Sequence, residues 1–128
     1  MKPIHTPLAP TPAGHYSQAM IHGDTVYVSG LLPIDPASGE RILGSPEEQT
    51  DRVLSNLKAV LEAAGSGLQQ VVKATVYIAD IALWGEVNAT YARFFGDHKP
   101  ARAIVPTRAL HHGFLVEVEA VAAVETRP

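Results

Sequence analysis

FLVEVEAVAAV, residues 114–124, decides the fold. As a strand it places Phe114, Val116, Val118, Ala120 and Ala122 on one side, and Leu115, Glu117, Glu119, Val121 and Ala123 on the other. Both sides are largely apolar. A strand of this kind needs cover on both faces of its sheet. The rest of the chain has to supply that cover.

Working outward, residues 101–109 read as another strand, joined to the first through LHHGF at 110–114. Upstream, QVVKATVYIADI at 70–81 alternates Val72, Ala74, Val76 and Ile78 on one side. Between these strands Asp80 is positioned to cap a helix with Leu83, Val87, Tyr91 and Phe94 on one stripe, ended by Gly96. An earlier helix is marked more sharply. Ser45 is an N-cap, Pro46 suits the first helical position and Glu48 completes a capping box. Thr50, Val53, Leu54, Leu57, Leu61 and Ala64 form its apolar face, and Gly65 stops it. Before it come SQAMIHG, a Gly23–Thr25 turn, the β-rich VYVSGLLPI and a turn at Asp35–Glu40. Residues 1–13 read as an extended, proline-rich arm.

The predicted order is β-β, with room for a further short strand, then α-β-α-β-β. The expectation is an α+β fold: a sheet of five to six strands with two helices on one face. Two helices cover one face only, so the second apolar face predicts a homo-oligomer that buries it.

The 128 residues suit one domain, 1–128, able to bury a core without staples. The absence of cysteine excludes disulfides, thiolate nucleophiles and cysteine-bound zinc, and fits a cytoplasmic location. The start has too many prolines and too short an apolar run for a signal peptide, and no run is long enough to span a membrane. A net charge of −3 argues against general nucleic-acid binding, which needs a basic footprint.

GHYSQAM, VYVSGLLPIDPASGE, QTDRVLSNLKAVLEAAG, VVKATVYIAD, VNATYARFF and KPARAIV…LVEVEAVA, in that order, give the chain its identity as a sequence. From about Gly14 to Ala122 it resembles the RidA/YjgF family of reactive-intermediate deaminases. The resemblance implies a chorismate-mutase-like fold and a homotrimer with sites between subunits. It also implies hydrolysis of enamines and imines, of the 2-aminoacrylate and 2-iminobutanoate type, to 2-oxo acids and ammonia. It implies no cofactor and no metal.

Individual residues then acquire expected roles. Arg102 matches the family arginine, and a guanidinium fork suits the substrate carboxylate. As an ordinary surface residue it would contribute only about 0–1 kcal/mol to an ion pair. Glu117 matches the family glutamate and would accept a proton from the attacking water. Glu119 points the same way and is distinguished from it by the resemblance alone. Tyr16, Ser29, Gly30 and Ile104 match pocket-lining positions, although Tyr16 also reads as packing and Ser29–Gly30 as a strand end or bulge. Asn88 reads as a structural hydrogen-bonder. Many family members carry cysteine where this chain has Ile104, proline where it has His15, and glutamine where it has Leu31. His15 and Leu31 lie near pocket positions. His111–His112 reads as a solvated turn, since adjacent residues face different ways and no third ligand has matching spacing.

A plain hairpin between the last two strands would hold Arg102 and Glu117 roughly 15 Å apart. Either the pairing is different or two subunits share the site. Two other readings of the same cleft remain: a module that binds a 2-oxo acid without turnover, and an endoribonuclease. A holdase role is also open.

Overall fold

The computed structural model describes residues 1–125. Its elements in chain order are β1 (Lys2–Ile4), β2 (Ala19–His22), β3 (Thr25–Leu31), α1 (Pro46–Ala63), β4 (Val71–Ile78), α2 (Trp84–Phe95), β5 (Ala101–Pro106) and β6 (Val116–Ala123). The six strands form one mixed sheet in the order β1-β2-β3-β6-β4-β5. Only β4 and β5 run parallel, as expected for strands joined through a helix. The short extra strand is β1, which lies inside the extended arm and pairs Lys2–Ile4 with Ala19–Ile21.

Helix α1 starts as its sequence dictates. The Ser45 hydroxyl accepts from the Glu48 backbone N–H at 3.1 Å, and the Glu48 carboxylate reaches back to Ser45 N–H. It ends at Gly65 (φ 78°), where the Gly65 and Ser66 N–H groups donate to the carbonyls of Glu62 and Leu61. Glycine enters that left-handed region without a β-carbon penalty. All six residues of the predicted apolar face of α1 are buried.

One core cluster joins both helices to a single face of the sheet. Val26, Val28 and Leu31 of β3, Ala74, Val76 and Ile78 of β4, and Val116, Val118, Ala120 and Ala122 of β6 supply that face. Tyr27, Tyr77, Glu117, Glu119 and Val121 lie on the face that carries no helix, and Tyr27 is half exposed.

Four local expectations are corrected. Asp80 caps a short 3-10 turn, accepting from Ala82 N–H at 2.8 Å, and α2 begins only at Trp84. The buried stripe of α2 is Val87, Tyr91 and Phe95, with Phe94 only partly covered. In β4 the alternation breaks at Val72: Val71 pairs with Ala122 and Lys73 with Val121, so Val72 is an extra residue turned outward. Finally, β5 stops at Pro106 and does not reach residue 109; the last bond to β4 is donated by Thr107 N–H to the Ile78 carbonyl at 2.8 Å.

Candidate active site

The last two strands are not neighbours: β4 lies between β5 and β6. Arg102 registers with Ala74 and Glu117 with Tyr77. Ala74 is buried on the helix side, and parallel partners share a side, so Arg102 rises toward α2. Glu117 alternates with buried Val116 and Val118 and so lies on the opposite face. Three residues along β4 and two strand spacings across it put the two backbones about 14 Å apart. Within one chain Arg102 lines one cleft, and Glu117 lies on the opposite face against Gly30, which lines another.

In the first cleft, three residues of α2 hold Arg102. Asn88 accepts a hydrogen bond from Nη1 at 2.8 Å through Oδ1. The guanidinium carbon lies 4.8 Å from the centre of the Tyr91 ring and 5.8 Å from that of Trp84. Positions 84, 88 and 91 recur at helical spacing, so one stripe of α2 faces the strand. Among the described residues Arg102 has no carboxylate partner. A half-buried guanidinium braced by an amide and π-faces keeps its remaining N–H groups for an external anion. The cavity beside it is about 480 Å³ and is also lined by His98 and Lys99. Ile104 sits two residues along the same side, registered with Val76. Among the described residues strand β5 is bonded only to β4, which leaves its outer backbone edge open at this cleft.

The second cleft, about 240 Å³, brings together Tyr16, Gly30, Leu31, Ile34, His111 and His112. Val28 pairs with Ala120 but Leu31 with Val118, so Ser29–Gly30 contains a bulge. The Glu117 carboxylate fills the space above Gly30: a β-carbon there would overlap Oε2 and lie 3.3 Å from Cδ. Burial pushes the Glu117 carboxyl above the ordinary carboxylate range; Glu119 adds to this and His111 opposes it. Glu119 itself accepts a short hydrogen bond from the Tyr77 hydroxyl. Ser29 uses its hydroxyl proton on the Ser17 carbonyl at 2.6 Å, which ties β3 to the segment carrying Tyr16. His15 does not line this cleft, whereas Leu31 does.

Three buried amides that sequence reasoning passed over hold the second cleft in shape. Gln18 donates to the carbonyls of Thr6, Ala9 and Pro10 and accepts from Thr6 N–H at 2.7 Å, clamping the arm against the wall. Gln49 accepts from Leu115 N–H at 2.8 Å, just before Glu117. Asn56 donates to the Leu32 and Ile34 carbonyls. Gln49 and Asn56 lie in register with the apolar stripe of α1. An amide inside such a stripe was the available signal, because a buried amide needs partners.

The small α+β domain thus holds an arginine without a carboxylate partner in one cleft and a half-buried glutamate beside the Gly30 wall of another. Comparison with known proteins gives its family. Residues 6–124 match the family described as Endoribonuclease L-PSP. The chain is 46% identical over 119 residues to a RutC family protein of Pyrococcus abyssi, covering 93% of this chain and 94% of that one. It is 43% identical over 121 residues to the 2-iminobutanoate/2-iminopropanoate deaminase of Rattus norvegicus, covering 94% and 88%. Among solved structures it resembles E. coli TdcF with bound serine, with a TM-score of 0.92 at 33% identity, covering 98% of this chain and 100% of that one. The chain belongs to the RidA/YjgF family.

Proposed function

We propose that the protein is a hydrolytic deaminase of 2-imino acids, with each site assembled from the Arg102 cleft of one subunit and the Glu117 cleft of another. The observation that carries this reading is the braced guanidinium with no carboxylate partner of its own. It suits the carboxylate of a small imino acid. The opposite placement of Glu117 supports a shared site, and a homotrimer is the assembly we infer.

The chemistry needs only groups of this kind. In the protonated imine, nitrogen already withdraws electrons from C2, so a neutral water can attack once a base takes its proton. Arg102 fixes the carboxylate, and Asn88 fixes Arg102. Glu117 removes a proton from water as the C–O bond forms, giving a carbinolamine. It returns that proton to nitrogen, the C–N bond breaks, the hydroxyl proton passes to Glu117 as the carbonyl forms, and Glu117 hands it to the departing ammonia. Protonated imine plus water becomes 2-oxo acid plus ammonium. A carboxyl raised toward neutrality exchanges protons readily in both directions. Tyr16 borders the cleft, while Gly30 gives the carboxylate room. The Ile104 backbone, at the open edge of β5, is the group we assign to substrate on the arginine side.

A threonine dehydratase supplying 2-iminobutanoate tests the reading. Imine decay, followed directly, accelerates with the protein and returns to the spontaneous rate with Arg102→Ala. Unchanged decay with tight 2-oxo acid binding would favour a binding module instead.

A further inference from the structure

The second cleft has a wall that the reaction above leaves unused. Most of its lining is apolar, from Pro10, Leu31, Leu32 and Ile34, yet two imidazoles border it. The turn bearing His111 and His112 forms one side of that wall. That turn is fixed in place. Gly113 and Phe114 N–H donate to the Leu110 and His111 carbonyls, both at 3.2 Å, and Phe114 is buried beneath. His112 holds a left-handed backbone (φ 58°, ψ 15°), which a residue with a β-carbon adopts only at a cost. Its ring packs edge-on to Phe114 and lies 3.7 Å, centre to centre, from the His111 ring.

Arg41 joins them. It bridges to Ile34, another residue of the same cleft. Desolvation, the Arg41 charge and His111 together push His112 below the usual imidazole range. The groups facing this pair are then Arg41 and, toward the reacting end, Glu117. Imidazole N–H groups beside a guanidinium form a wall for an anion or a strong acceptor.

We propose that His111, His112 and Arg41 form a subsite for the substrate's side chain, and that the cleft favours 2-imino acids bearing a second carboxylate. The proposal rests on the deaminase reading. One carboxylate goes to Arg102, the apolar floor takes the intervening methylenes, and the second carboxylate meets the histidine turn.

The test compares imines released by flavin amino-acid oxidases from 2-aminobutyrate, aspartate and glutamate, with semicarbazide trapping whatever remains. The dicarboxylic imines should be preferred in kcat/KM by about tenfold, in line with charge-assisted hydrogen bonds at a partly exposed site. His111→Ala combined with His112→Gly should lower that ratio about fivefold or more. Glycine suits the φ of position 112, so the turn survives. Calorimetry on the unaltered protein gives a second measurement, in which 2-oxoglutarate should bind more tightly than 2-oxobutanoate. Acceleration of the monocarboxylic imine alone, or a ratio unmoved by the variants, overturns the subsite and leaves the deaminase standing. Acceleration of no imine overturns both.

Discussion

Mixing two inactive variants tests the shared site most directly. Arg102→Ala removes the anion grip and leaves the Glu117 cleft intact; Glu117→Ala does the reverse. Registers with Ala74 and Tyr77 put the two residues on opposite faces of the sheet, with backbones about 14 Å apart. A four-carbon imino acid cannot span that path through the sheet. If each site takes Arg102 from one subunit and Glu117 from the next, co-refolding equal amounts restores some complete sites. In a closed ring, half of the arginine donors and half of the glutamate donors are intact. Random assembly therefore gives about a quarter of wild-type activity, whatever the ring size. Each variant refolded alone should stay at the spontaneous rate. Activity is read as imine decay, and mass spectrometry of the intact assembly verifies mixing. Mixed oligomers with no recovered activity would refute the reasoning, since both groups would then have to act from one chain.

Gly30→Ala should abolish most activity without unfolding the chain, because the new methyl displaces the Glu117 carboxylate; a drop in kcat/KM of about 10²-fold is expected for a misplaced base. The same substitution should cost nothing further in a Glu117→Ala background, as a double-mutant cycle in the kinetics would show. Arg102→Lys should raise KM about tenfold or more, since an ammonium cannot keep both the Asn88 bond and a two-point carboxylate grip. The raised Glu117 carboxyl predicts loss of activity, as pH falls, at a pH above the ordinary carboxylate range, and Glu119→Gln should move that limb to lower pH by removing a like charge. The same shift means that ionising Glu117 costs folding stability as pH rises through its folded value, so Glu117→Gln should raise Tm at neutral pH. Gln49→Leu should destabilise by about 1–3 kcal/mol in urea unfolding, because it strands the buried-side Leu115 N–H and the Gly44 carbonyl.

The parts of this structure legible in the sequence are those set by short-range rules. The capping box of α1, its apolar stripe and the alternation of β6 each depend on residues a few positions apart, and each holds. Alternation in β6 alone puts Glu117 opposite Val116 and Val118, away from the core. The bulges are harder to read, because one extra residue reverses parity with no composition signal: Val72 suits either face of a strand. Buried amides were passed over for a related reason. Gln18 sits in a weakly alternating segment, and its partners lie 8–12 residues upstream in the arm.

Arg102 shows where local reading stops. In ARAIVP, residues 101–106, Arg102 and Ile104 alternate with Ala101, Ala103 and Val105, so hydrophobicity assigns neither side to the core. The side is fixed by β4, whose insertion between β5 and β6 pairs Arg102 with a core alanine and turns it toward Asn88 and Tyr91. That insertion is a non-local choice: β5 returns beside β4 through α2, while β6 crosses to the other edge of β4. A simple hairpin would have kept the two charges on one ribbon. With β4 between them, the fold delivers Arg102 and Glu117, the proposed anion grip and proton acceptor, to different surfaces of the same chain, which is why the proposed site needs a second copy.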